Sequence, residues 1–284
     1  MTTRVRPPVR LASFREIVTD APVSYSVYSA FSFYGARRGG ELPGTWLVAA
    51  LRALGHETAA VRQTLYRMEA SRELDSRTAG RTKFYRLSPA ARAEAEAGLA
   101  KIMSEEDSQP WDGEWTLVQF RPGTEGRVER ERLREILRAE GFAPATTGLY
   151  LHPRDRSARL LSAAHEQAMR DLFDVFRARR LEAGDDDQSH VARHWNLQTI
   201  ASRYDAFVAR FNPLARARNT LSDETCFVLR FAVVFDYLEA AWQDPELTPE
   251  LLPAKWSGTH ARRLARDLYQ RLLPGALAFG DSLR

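Results

Sequence analysis

A chain of 284 residues with 44% hydrophobic and 27% charged side chains has room for two or three domains with ample cores and the balance of a soluble protein. No run approaches the ~18 apolar residues of a membrane span, and the first ten residues lack the apolar middle of a signal peptide, so a membrane protein and a secreted one are both set aside. The single cysteine, Cys226, excludes an intramolecular disulfide and fits a reducing cytoplasm; lying in an apolar helical run with no base near it in sequence, it reads as a small buried hydrophobe.

The net charge of +4 hides an asymmetry. Residues 1–104 hold 16 Lys+Arg against 9 Asp+Glu, and residues 105–284 hold 25 against 28. Positive charge gathered in one segment is the footprint of a nucleic-acid-binding module. An arginine-rich solvated surface would look the same, so the motifs must decide.

Residues 1–22, with Pro7-Pro8 and scattered arginines, read as a flexible basic arm. A first helix is expected from about Ser24, as its cap, with Val27, Ala30, Phe31 and Tyr34 on one face and Gly35 as its stop. After a polar loop, Leu47, Ala50, Leu51 and Leu54 mark a second helix ended by Gly55. A third starts near Glu57 or Thr58. It turns Val61, Leu65 and Met68 to one side and Gln63, Tyr66 and Arg67 to the other, with Arg62 on the flank. Leu74 to Arg86 then reads as two short strands joined by a turn at Ala79-Gly80, with Arg81 and Lys83 near the tip and Tyr85 and Leu87 packing beneath. Three helices and a basic hairpin make a winged helix-turn-helix over 23–104. The third helix is the candidate major-groove reader, through Arg62, Gln63, Tyr66 and Arg67, and the wing supplies Arg81 and Lys83 to the phosphate backbone. Ser88-Pro89 opens a further helix.

Ser104 to Pro110 is a linker by composition. The segment 112–183 then reads as a strand at Trp115–Phe120, a helix from about Arg127 to Glu140, two short strands at 142–146 and 148–152, a helix near 155–169, and a segment at 173–181 that is either a last strand or a helical extension. That order, β-α-β-β-α-β, is ferredoxin-like. Asp185-Asp186-Asp187 marks a second linker, and 191–284 is helical: a stripe from Leu197 to Phe211, a very apolar helix from Ser222 to Trp242, and a last helix from about Thr259 with Leu264, Leu268 and Leu272. The fold class is thus α+β, mainly helical.

Tyr34-Gly35, Arg38-Gly39-Gly40-Glu41, Ala60-Val61-Arg62 with Leu65 and Arg67, Gly80-Arg81 with Tyr85-Arg86-Leu87, Trp111-Asp112-Gly113 with Trp115, Trp195 with Leu197, and Leu251-Leu252-Pro253-Ala254 with Trp256 follow one another in an order that resembles the PaaX family of repressors of phenylacetate degradation. The resemblance spans roughly residues 24–280. It implies a homodimeric, cytoplasmic winged-helix repressor that binds double-stranded operator DNA, in the form of an inverted repeat, and is released by an aryl-coenzyme A thioester such as phenylacetyl-CoA. No Ser/His/Asp order, phosphate-cradling Gly-rich loop or paired-Cys motif stands out in the sequence, so no enzymatic activity and no cofactor are expected. Where many relatives continue the first middle-domain strand as Phe-Asp-Ile-Pro, this chain has Phe120-Arg121-Pro122-Gly123. The alternative reading, a ferredoxin-like metal-dependent nuclease with an attached winged helix, needs a carboxylate there, and Arg121 cannot ligate Mg²⁺.

An acyl-CoA needs arginines for its phosphates and an aromatic slot for its acyl group. Arg203, Phe207 and Arg210 share a helical face, Trp195 and Tyr204 are near in sequence, and Arg230 interrupts an apolar run; these six are the effector candidates. The plainer account makes the aromatics helix core and pairs Arg230 with Asp205 or Asp236. His190 and His194, at i and i+4 beside three aspartates, invite a metal, but a full shell needs further ligands, and solvated Asp and His loops are commoner.

Overall fold

The computed structural model describes residues 11–103, 110–121, 126–166, 169–181, 184–216 and 220–283. The linker at residues 104–109, the first ten residues and Pro122-Gly123 lie outside them. The described residues are mainly helical with two small antiparallel sheets, and they group into two compact units: 1–104 with 206–239 and 260–284, and 105–205 with 240–259. The helical stretch 191–284 therefore contributes to both.

In the first unit, helix α1 (Leu11–Asp20) replaces the second half of the expected flexible arm. Val18 is fully buried, the Phe14 ring lies 5.4 Å from Phe211, and Arg15 Nε donates to the Ala53 carbonyl at 3.0 Å, so this segment has a partner for each face that matters. Helix α2 (Val23–Ala30) starts after Pro22 without a side-chain cap, so Ser24 falls inside its first turn. It does not stop at Gly35. A π-helical turn (Phe31–Gly35) and a 3₁₀ turn (Ala36–Arg38) carry the chain on to Gly39, whose φ of 67° ends the helix. The wider π turn lets Phe31, Phe33 and Tyr34, three large rings in four residues, all be buried. Strand β1 (Glu41–Pro43) leads into α3 (Gly44–Leu54), ended at Gly55 (φ 109°) as the sequence requires.

The reader candidate is α4 (Thr58–Ala70), followed by β2 (Leu74–Ala79) and β3 (Thr82–Leu87). The register pairs Ala79 with Thr82, which puts the turn at Gly80-Arg81, one residue later than expected. Strand β1 adds to the other side of β3 through Glu41 opposite Arg86, giving the order β1-β3-β2. Ser88 caps α5 (Pro89–Met103) through the Ala91 N–H.

The second unit opens with β4 (Trp115–Phe120), α6 (Arg127–Ala139), β5 (Ala143–Thr146), β6 (Leu149–His152), α7 (Ser157–Glu166) and β7 (Phe173–Ala178). The sheet order β5-β6-β4-β7, antiparallel throughout, is the β-α-β-β-α-β arrangement, and the segment from Phe173 is a strand rather than a helical extension. Val118, Phe120, Tyr150 and Phe173 on the sheet pack against Leu133, Leu137, Leu160 and Ala164 on the two helices.

Asp185-Asp186-Asp187 is not a plain linker. Asp186 caps α8 (Asp187–His194) by accepting the Ser189 N–H at 2.7 Å, Asp185 takes Arg180 and Arg193, and Asp187 takes Arg180. Helix α9 (Leu197–Ala215) runs from the second unit into the first. Helix α10 (Asp223–Ala241) is apolar almost all round and fully buried over Phe227–Val233, and α11 (Gly258–Arg271) follows. The expected single last helix is two: Pro274 cannot continue the ladder of α11, and a new helix, α12 (Leu273–Ser282), begins there.

Helix α12 is a core partner of α3 and of the π-helical turn within the first unit. Trp46 Nε1 donates to the Gly280 carbonyl at 2.6 Å, and Tyr34 Oη donates to that of Ala276 at 2.8 Å. A Cβ on Gly280 would lie 2.5 Å from the Tyr34 ring, so only glycine allows this approach.

Candidate nucleic-acid interface

Helix α4 divides its residues sharply. Val61, Thr64, Leu65 and Met68 are buried, while Arg62, Gln63, Tyr66 and Arg67 are exposed. Tyr66, a ring that would be expected to hide, is 72% exposed. Arg62, Gln63 and Tyr66 make no hydrogen bond or ion pair among the described residues, and Arg67 reaches only the Thr64 hydroxyl, at 3.1 Å. One helix face thus presents two cations, an amide and a phenol, and the one internal bond that any of them makes among the described residues is from Arg67 to Thr64. These four make up a donor set that reads base edges and phosphates.

In the wing the cations divide in two. Arg81, at the turn, is exposed and makes no hydrogen bond or ion pair among the described residues. Lys83 is instead held by Glu69 of α4 at 2.7 Å, and Glu69 also accepts from Ser76 Oγ at 2.5 Å. Both bonds pull the Glu69 carboxyl below its ordinary pKa, and the same ion pair raises that of Lys83. Glu41 of β1 takes Arg77 at 2.5 Å and Arg86 at 3.1 Å, which lowers its pKa likewise. Tyr85 and Leu87 lie beneath, buried as expected. The two carboxylates that orient the wing, Glu41 and Glu69, escaped the sequence reading. Glu41 stands 36 and 45 residues from its arginines, a separation that leaves no local signal.

The chain matches three family profiles in succession: "PaaX-like protein" over residues 24–91, "PaaX protein central Cas2-like domain" over 108–191, and "PaaX-like protein C-terminal domain" over 195–282. It is 31% identical over 261 residues to the transcriptional repressor PaaX of Escherichia coli (strain K12), an alignment covering 87% of this chain and 80% of the relative. The chain belongs to the PaaX family. Among solved structures, the uncharacterized protein Rv0674 from Mycobacterium tuberculosis shares the fold, with a TM-score of 0.58 at 19% identity over 91% of this chain and 98% of that one. For a PaaX-family protein the free donors of α4 and the wing stand on the segment matched by the first profile.

The six effector candidates fall in different surroundings. In the second unit, Trp195 donates through Nε1 to the Gly141 carbonyl at 3.0 Å, Tyr204 is buried and donates to Asp244 at 2.8 Å, and Arg203 is half-buried on the same helix. In the first unit, Phe207 is core against Phe211 and Tyr237, and Arg210 is exposed and paired with Asp236. Asp236 is therefore not the partner of Arg230, which lies at 2% exposure between the rings of Tyr269 and Phe33.

The remaining candidates have structural partners. His190 stacks edge-on against Trp115 and accepts from Arg193 at Nδ1, and His194 Nδ1 bonds the Pro144 carbonyl. Arg121 donates to Asp174 at 2.5 Å and to the Asp171 carbonyl, so a cation occupies the strand end where a nuclease would need a metal-binding carboxylate. Among the described residues no three His, Cys, Asp or Glu side chains are placed to hold a metal, and no helix is long and apolar enough to cross a membrane. Cys226 is half-buried, with its thiol pKa pushed up by burial.

Proposed function

We propose that this protein is a transcriptional repressor of an aromatic-compound catabolic operon of the phenylacetate type. It binds double-stranded operator DNA as a homodimer and releases it when an aryl-CoA thioester such as phenylacetyl-CoA binds. The observation that carries the reading is the outward face of α4, where Arg62, Gln63, Tyr66 and Arg67 stand exposed with no carboxylate paired to them among the described residues. Cations left without an internal counter-ion are what counterion release from phosphates requires. Membership of a family with a named transcriptional repressor supports the same role. Arg62 and Arg67 read or grip the major groove, with Gln63 and Tyr66 beside them, and Arg81 meets the neighbouring backbone.

A twofold repressor matches an inverted repeat with half-sites about one helical turn or a multiple apart. Release requires the ligand to bind the DNA-free state better than the bound one, by linkage. The test is an operator-binding titration of the full-length protein with phenylacetyl-CoA, other acyl-CoAs and their free acids, together with sedimentation equilibrium. The expected result is a dimer that leaves the operator with micromolar aryl-CoA and ignores phenylacetate and CoA alone. Release by a free acid with every thioester silent would overturn the effector while leaving the DNA reader standing.

A further inference from the structure

Arg230 lies in the middle of α10, 2% exposed, in the unit that carries the reader. Its guanidinium carbon is 3.8 Å from the centre of the Tyr269 ring and 4.6 Å from that of Phe33. Its Nε and Nη1 are buried, and neither has a hydrogen-bond partner among the described residues. Among the described residues, the groups that act on its charge besides burial are two phenols, Tyr269 and Tyr34, and no carboxylate. Three carboxylates of this unit are engaged by other arginines: Asp236 by Arg210, Asp281 by Arg37 and Arg38, Glu224 by Arg15. Tyr34 spends its hydroxyl on the Ala276 carbonyl, whereas the Tyr269 hydroxyl makes no hydrogen bond among the described residues.

A buried guanidinium normally has a counter-ion, because burial removes the water that stabilised its charge. Aromatic faces offset part of that cost by cation–π attraction. They cover the flat faces of the group, however, and cannot accept the N–H bonds in its plane. Those edges are what a planar or tetrahedral oxyanion binds. We propose that Arg230 is an oxyanion-binding site, taking the carboxylate or phosphate of a small ligand on its Nε and Nη1 donors with the Tyr269 hydroxyl as a further donor. Phe33, which covers one face, belongs to the π-helical turn that continues α2, and α2 packs on α4. A ligand that reaches Arg230 by displacing this turn therefore acts on the support of the reader. Anion binding stands by itself; only its consequence for DNA rests on the repressor reading.

The experiment uses the full-length protein without DNA, measured by calorimetric titration and thermal melting with two probes, inorganic phosphate and benzoate. Saturable binding by wild type, weakened about tenfold or more in Arg230→Met, supports the site. The ligand-free variant should melt at or above the wild-type temperature, since an unpaired buried charge has gone. Tyr269→Phe keeps the stacked ring, loses the hydroxyl, and should weaken binding about threefold to tenfold; it serves as the test should Arg230→Met fail to fold. A response to phosphate alone assigns the phosphate source, and one to benzoate alone the carboxylate. No binding of either probe by wild type, or equal binding by wild type and the variants, overturns the proposal. Operator binding of the same variants is measured separately, so a silent DNA arm with intact anion binding would count against the repressor reading and not against the site.

Discussion

In the sheet unit, arginines stand against carboxylates: Arg121 on Asp174, Arg177 on Asp112 and Glu114, Arg180 on Asp185 and Asp187, Arg156 on Glu246. On the outward face of α4, Arg62 has no partner among the described residues and Arg67 has only a threonine. The same residue type ties strands and loops together in one region and leaves a surface ready for an anion in the other. Counting charges separates the two regions only coarsely. The useful distinction is whether a guanidinium already has its carboxylate, and within the wing it separates Arg81 from Lys83, Arg77 and Arg86.

The largest effect expected from this contrast is on operator affinity. Arg62→Ala and Arg67→Ala should each cost about 1–3 kcal/mol if the residue reads a base, while Arg121→Ala, a sheet arginine, should leave affinity unchanged. Fluorescence anisotropy with an operator duplex checks this, and an unchanged Arg62→Ala, Arg67→Ala double variant would remove α4 as the reader.

A second test concerns stability in the sheet unit. His152 is fully buried, with Nε2 bonded to the Pro245 carbonyl and Nδ1 accepting the Arg154 N–H, and burial pushes its pKa down to about 4. Folded, it stays neutral while the unfolded chain protonates near pH 6.5. Its contribution is therefore complete above pH 6.5 and is lost as the pH falls toward 4. Urea melts should show about 2 kcal/mol less stability at pH 5 than at pH 7.5 from this group, and His152→Gln should lose that part of the slope.

Arg81→Ala should weaken all duplexes alike and reduce the salt slope of binding by about one. The smallest effect belongs to Lys83, whose charge Glu69 already holds. Lys83→Ala should change affinity little, Glu69→Ala should raise affinity for any duplex, and a double-mutant cycle on folding should give a coupling of about 0–1 kcal/mol. A Lys83→Ala loss equal to that of Arg81→Ala would show that the phosphate displaces Glu69.

Much of this was legible from residues close in sequence. The i, i+3, i+4 pattern of α4 and the stop at Gly55 follow from local periodicity and a positive φ, and the β-α-β-β-α-β order from alternating segments. The misses have long-range causes. Leu11–Asp20 looked like an arm because the partners that order it, Ala53, Phe211 and Glu224, are distant in sequence. Gly35 looked like a stop because nothing local reports that three buried rings favour a π turn. The wing cations looked alike because Glu41 and Glu69 become their neighbours only on folding.

Trp46 and Tyr34 take their acceptors from residues 234 and 242 positions further on. During synthesis, at about 5–20 residues per second, those carbonyls are made many seconds after α2 to β3. A nascent chain thus holds an indole and a phenol with no native acceptor, and the unit that carries the proposed reader gains both acceptors only once α12 has been made. The order of synthesis leaves two buried donors of this unit without their native acceptors until the end of the chain is made.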